Sequence, residues 1–281
     1  MARAGIPRVG ISGWRYKPWR GEFYPRGLVQ RDELAFASER LTSIEINGSF
    51  YSLQRPSSYA LWKEQTPDDF VFSVKGGRYI THLLRLKNAH GALANFFASG
   101  VLGLGEKLGP FLWQLPERVE FDATVLDEFL AQLPKTTTDA AALAAETTLE
   151  SDRTITTAQV ERPLRHALEV RSPTFDTADA FEIVRRHDVA LVIADTAGTW
   201  PMLREITSDF IYVRLHGAEE LYASGYDAPA LDRWEADIRS WLDGSGCPDG
   251  RPRDVFVYFD NDMKVRAPFD AMALIERLRE P

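Results

Sequence analysis

Short runs of alternating apolar and polar residues recur along the whole chain, separated by longer stretches with helical spacing. The two-residue period predicts strands at Arg8–Gly13, Ser43–Gly48, Phe70–Lys75, Pro110–Leu115, His166–Arg171, Val189–Asp195, Phe210–His216 and Asp254–Asp260. The intervening spacing predicts helices at Arg31–Arg40, Ser57–Gln65, Asn88–Phe97, Asp122–Leu133, Asp176–His187, Ala230–Leu242 and Pro268–Arg279. Ser57 reads as a cap just after Pro56. In Ala230–Leu242 the residues Leu231, Trp234, Ile238 and Trp241 share one helix face, which suits packing against a sheet.

Strands alternating with helices imply βαβ units and a parallel sheet. Eight such units in 281 residues fit a single (β/α)8 TIM barrel over residues 1–281. An open doubly wound sheet, or two smaller domains, are the alternatives. No Gly-x-Gly-x-x-Gly follows the first strand and no P-loop is present, which counts against nucleotide-binding forms of the open sheet. Gly103-Leu104-Gly105 follows a helix and reads as a turn. Pro134–Pro163, rich in Thr and Ala, reads as the crossover between the fourth and fifth strands, with a short extra helix at Asp139–Glu146.

Composition changes this picture little. The chain is 44% hydrophobic and 26% charged, an ordinary globular balance. No apolar run has membrane-spanning length, and the first residues lack the apolar stretch of a signal peptide. The lone Cys247, in a Gly-rich turn, forms no internal disulfide and suits a reducing cytoplasm. A net charge of −8 argues against a non-specific grip on nucleic acid, yet leaves room for a local basic pocket.

The polar side of the strand alternation carries the candidate chemistry. Glu45 and Asn47 oppose Ile44 and Ile46, and Ser73 and Lys75 oppose Phe72 and Val74. Glu169 and Arg171 oppose Leu168 and Val170, while Tyr212, Arg214 and His216 oppose Ile211, Val213 and Leu215. Tyr258 and Asp260 oppose Val257 and Phe259, and Asp195 ends the sixth strand. With the apolar set against the helices, the polar set faces the barrel interior near the strand C-termini, where barrel enzymes build their sites. Unpaired buried charges cost several kcal/mol each, so these groups pair with one another or line a wet mouth. Lys75, Arg171 and Arg214 suit a carboxylate or phosphate. Glu45, Glu169 and Asp195 suit proton transfer, with His216 as a proton shuttle. A purely structural ion-pair network is the competing reading.

His82, in the loop after the third strand, either reaches toward the same mouth or is a loop histidine bonded to backbone. His166, His187 and His90 read as structural or surface residues. No organic cofactor is indicated. A divalent metal fits only through Glu169, Asp195 and His216, and the interleaved Arg171 and Arg214 oppose it. The aromatic, basic loop from Ser12 to Pro25, which includes Trp14, forms either a lid over the mouth or a packed plug.

Several stretches recur in a set order: Gly10-Ile11-Ser12-Gly13-Trp14 with Phe23-Tyr24-Pro25, Glu45-Ile46-Asn47 with Phe50-Tyr51, and Phe72-Ser73-Val74-Lys75 with Ile80-Thr81-His82. Later come Gly109-Pro110 with Gln114-Leu115-Pro116, Glu169 with Arg171, Arg214 with His216-Gly217, and Tyr258-Phe259 with Asn261-Asp262. Together they resemble the YecE-like family, whose domain is of unknown function. The resemblance implies a barrel related in shape to xylose-isomerase-like and endonuclease-like barrels, and implies no particular reaction. On these segments Trp14, Asn47, Tyr51, Gln114, Tyr258 and Asn261 join the candidate binding residues. Gly48-Ser49, Ser172, Phe175 and Asp260 depart from the family pattern and leave the mouth less basic.

The expected function is acid–base chemistry, as a hydrolase, lyase or isomerase, on a small anionic metabolite, phosphorylated ones included. A nucleic-acid-processing barrel and a non-catalytic ligand-binding protein are the alternatives. The expected partner is the small anion, with no membrane and no nucleic acid.

Overall fold

A computed structural model describes residues 3–279. Nine parallel strands are present: β1 (Pro7–Ser12), β2 (Ser43–Ile46), β3 (Val71–Lys75), β4 (Leu108–Gln114), β5 (His166–Glu169), β6 (Val189–Leu191), β7 (Ile193–Asp195), β8 (Phe210–Leu215) and β9 (Asp254–Phe259). Their order in the sheet is β6-β5-β4-β3-β2-β1-β9-β8-β7. Parallel strands in this order, alternating with helices, are the (β/α)8 barrel class. The expected sixth strand is divided at Val192, so β6 neighbours β5 and β7 neighbours β8. The chain clusters into two compact units, Met1–Glu45 with Ala190–Pro281, and Ile46–Val189.

The helices are α1 (Glu33–Ser38), α2 (Gly48–Tyr51), α3 (Pro56–Glu64), α4 (His90–Ala98), α5 (Ala123–Ala131), α6 (Thr137–Ala144), α7 (Ala178–Arg186), α8 (Ala228–Asp243) and α9 (Ala267–Arg279). Side chains of Asp122, Thr136, Thr177 and Asp227 accept from backbone N–H groups in the first turns of α5, α6, α7 and α8. α3 differs from expectation. Pro56 takes its first position and Arg55 precedes it without a side-chain cap, because a proline that lacks N–H is pre-set for that place. Leu231, Trp234, Ile238 and Trp241 of α8 are all buried, as core residues of that face should be. Gly103–Gly105 lies in a 3-10 stretch, Val101–Lys107, with Gly105 at φ 57°. No helix among the described residues is long and apolar enough to cross a membrane.

The Ser12–Pro25 loop packs as a plug. Trp19 and Tyr24 are fully buried, and their rings meet Phe23, Tyr16 and Phe36. The Tyr24 hydroxyl donates to the Trp14 carbonyl at 2.7 Å, and burial pushes its pKa well up. His166 is also structural. Its Nε2 donates to the Pro134 carbonyl at 2.8 Å, and its Nδ1 accepts from the Trp113 indole at 3.2 Å. Burial lowers its pKa to about 3, so it is held neutral.

Candidate functional site

In the unit that contains both termini, strand alternation brings four strands' polar side chains together. Arg214 of β8 is fully buried and lies at the centre. Its Nη2 and Nε donate to Glu45 Oε1 and Oε2 at 2.9 and 3.1 Å, a bidentate pair with a side chain on β2. Nη2 also donates to Ser12 Oγ at 3.0 Å and to Asp260 Oδ2 at 2.9 Å. Glu45 accepts further from Ser12 Oγ at 2.5 Å and from Tyr212 OH at 2.6 Å. Its two oxygens are therefore saturated by donors, and it anchors Arg214. Burial, then the Glu45 charge, drives the Tyr212 hydroxyl well above its ordinary pKa, so it stays protonated and donates.

Arg214 Nη1 lies 3.3 Å from His216 Nε2. A guanidinium only donates, so Nε2 is the acceptor and Nδ1 holds the ring proton, 3.1 Å from Asp260 Oδ2. Next to Asp260 along the chain, Asn261 Nδ2 donates to Asp270 Oδ2 at 2.8 Å and to the Ser224 carbonyl at 2.9 Å. Asp262 then follows. Burial, and secondly the Asp260 charge, raises its pKa to about 6. Asp195 accepts from Tyr226 OH at 3.2 Å. Tyr258 shares a 2.7 Å hydrogen bond with Ser43 Oγ.

The other unit gathers cations around an imidazole. Lys75, at the end of β3 and 8% exposed, holds its ammonium 4.6 Å from the Phe50 ring centroid. Phe50 also meets Tyr51 at 5.1 Å and His82 at 5.0 Å, both edge-on. His82 sits in a single π-helical turn, Tyr79–Leu83, a wide turn often found at functional sites. Its Nδ1 is 2.9 Å from Thr81 Oγ1. Burial lowers the His82 pKa to about 4, helped in order by Lys75, Arg171, Arg78 and Arg118. β5 ends at Glu169, two residues short of the expected strand, and Arg171, just beyond it, donates from Nε to Glu169 Oε1 at 3.0 Å.

Other candidates are placed differently. Gln114 turns its Nε2 onto the neighbouring Leu115 carbonyl at 2.7 Å. Asn47 lies between β2 and α2, its carbonyl accepting from Phe50 N at 3.1 Å. Trp14 is 5% exposed, with Arg15 over its ring at 5.8 Å. Ser12 and Tyr212 carry parts of the Arg214 network, Asp262 feels the charge of its Asp260, and Arg78 and Arg118 carry parts of the His82 group; the sequence alone did not mark these five as site residues. Ser12 and Tyr212 were visible on strand faces, whereas Arg78 and Arg118 lie in loops where no period marks direction. Among the described residues no three or more His, Cys, Asp or Glu side chains gather as a metal site requires.

Fold and geometry define a (β/α)8 barrel with buried ion-pair and cationic groups on its strand ends. The chain belongs to the family described as Protein of unknown function DUF72, which it matches over residues 8–281. It is 27% identical over 108 residues to UPF0759 protein YecE of Escherichia coli K12, which covers 38% of this chain and 37% of that one. The chain thus matches little more than a third of the length of these curated relatives. A solved DUF72 family protein from Thermotoga maritima MSB8 superposes with a TM-score of 0.74 and 22% identity, over 98% of this chain and all of that one. One from Enterococcus faecalis V583 gives 0.72 at 15% identity, over 97% of this chain and 95% of the other. These structural likenesses show the shared fold.

Proposed function

We propose that this barrel is an enzyme that performs acid–base chemistry on a small anionic metabolite, held by Lys75 and Arg171 with His82 as the base. One observation carries this reading: an imidazole beside four cations, its pKa lowered to about 4. Burial is the larger cause of that lowering and the cations add to it; a bound phosphate or carboxylate offsets the cationic part and raises the His82 pKa, so the substrate itself strengthens the base. We place the His82 proton on Nδ1, with Thr81 Oγ1 as its acceptor, which leaves the Nε2 lone pair for substrate. Glu169, 1% exposed along its side chain, fixes the direction of Arg171 and so positions the anion. Glu45 fixes the direction of Arg214 within its own unit, where Asp195 and His216 are further candidate proton carriers.

The direct test follows the His82 ring by NMR across pH, with and without inorganic phosphate. The expected result is a pKa that climbs from about 4 toward the ordinary imidazole value in phosphate, and fails to climb in Lys75→Met. An imidazole that ignores phosphate removes the proposal. With a turned-over substrate found among phosphorylated sugars and small carboxylates, His82→Gln is expected to lower kcat by about 10²–10⁴. Turnover that survives both His82→Gln and Glu169→Gln would count against the assignment.

A further inference from the structure

We propose a second binding site, for an amphipathic anion with a ring-sized apolar body, in the cleft formed by the loops after β3, β4 and β5. The cleft has a volume of about 310 Å³ and lies wholly within the Ile46–Val189 unit. That size is in the range of small-molecule sites. Its floor is apolar: Leu86, Leu126 and Phe175 are 3%, 2% and 3% exposed, and Phe121 meets Phe175 edge-on at 5.5 Å. Its rim is cationic. Arg85, Lys87 and Arg118 line it and are exposed, and among the described residues none of the three makes a side-chain hydrogen bond or ion pair.

Two acidic residues, Glu120 and Asp122, also line the cleft. Asp122 Oδ1 accepts from Val125 N at 3.1 Å as the cap of α5, so its charge is directed to the helix. The three cations therefore outweigh the remaining carboxylate. The backbone supports the same reading. Arg85, Leu86 and Asn88 all sit at positive φ, 51°, 70° and 50°. This left-handed conformation is costly for residues with a side chain, and it persists where the surroundings enforce it. Here the Leu86 N–H donates to the Ile80 carbonyl at 3.1 Å and the Leu86 side chain is buried. Leu86 thereby pins the stretch, with Arg85 and Lys87 exposed on either side of it.

An apolar floor under a cationic rim selects a ligand with both characters. Inorganic phosphate engages only the rim, and a neutral ring only the floor. An aryl phosphate or aryl carboxylate engages both. The cleft shares Arg118 with the group around His82, but its recognition does not require chemistry at that imidazole.

The test uses the full-length protein with phenyl phosphate, inorganic phosphate and phenol as probes. Binding is read by calorimetry and by shifts of the Leu86, Val125 and Leu126 methyl resonances. Phenyl phosphate is expected to bind about tenfold or more tightly than either fragment and to shift those methyls. The exposed pair Arg85→Glu/Lys87→Glu should abolish the shifts and weaken phenyl phosphate by about tenfold or more, while the His82 response to inorganic phosphate stays as in the parent. Lys75→Met should do the reverse, so failure at one site is distinguishable from failure at the other. Phenyl phosphate that binds no better than inorganic phosphate, leaves the methyls unmoved, or is indifferent to the double charge reversal overturns the proposal. Phe175→Leu, which keeps the floor apolar but narrows the ring contact, gives a second check. It should weaken phenyl phosphate and leave inorganic phosphate unchanged, and equal effects on both would also overturn it.

Discussion

At the scale of single residues, the Arg214–Glu45 pair is the best-satisfied charged group described. Each partner is fully buried, and each removes the other's cost of leaving water. Removing one partner therefore does more harm than removing both. Arg214→Met strands the Glu45 carboxylate with only the Ser12 and Tyr212 hydroxyls among its hydrogen-bond donors described above. The expected loss is about 3–5 kcal/mol in urea unfolding. The double variant Glu45→Gln/Arg214→Met should recover part of that, because the fully buried Glu45 charge is gone and only the partly exposed Asp260 loses its Arg214 partner. A double variant as unstable as the sum of its parts would mean that the pair is not coupled. The strand alternation made both residues visible as inward and charged. It did not reveal that each would be saturated by the other, since pairing depends on strand register, which a single strand's pattern does not contain.

At the scale of elements, Gly10 shows how β1 fits between its neighbours. Its register partners are Ser43 on β2 and Tyr258 on β9, and those two side chains hydrogen-bond to each other at 2.7 Å. A Cβ at Gly10 would overlap the Ser43 carbonyl. Gly10→Ala is expected to cost about 1–3 kcal/mol or more, through forced separation of β1 and β2, and thermal unfolding would measure it. An alanine tolerated without loss would mean that the strands have slack there. Strand positions were legible to within a residue or two because apolar alternation sets the buried face before any tertiary contact forms. The short helix α2 and the π turn that holds His82 were not legible. Each is too brief to carry a period, and each is held by tertiary bonds, such as the one from Ser49 Oγ to the Lys75 carbonyl at 2.6 Å. The residues that place His82 among cations were thus visible as types and invisible as neighbours.

At the scale of the whole molecule, His82, His166 and Asp262 each make a signed contribution to how stability depends on pH. His82 and His166 have folded-state pKa values lowered to about 4 and about 3. An unfolded chain takes up protons at both near pH 6.5, while the folded chain does not. Their contribution is intact above that pH and is lost as pH falls toward 4 and then 3. Asp262 works in the opposite sense. Its folded-state pKa is raised to about 6, so the folded chain keeps a proton that the unfolded chain releases above about 4. That contribution is present below about pH 4 and fades as pH rises through 6. Between pH 4 and 6 the two histidines make stability rise with pH, and Asp262 opposes them together with Asp270, whose pKa burial also raises. Asp262→Asn removes one of the opposing groups and should make the slope of stability against pH more positive, whereas His166→Gln should make it less positive. Urea midpoints measured from pH 4 to 7 would decide. A slope that Asp262→Asn leaves unchanged would show that its carboxyl titrates alike in both states, and that burial beside Asp260 does not hold the proton.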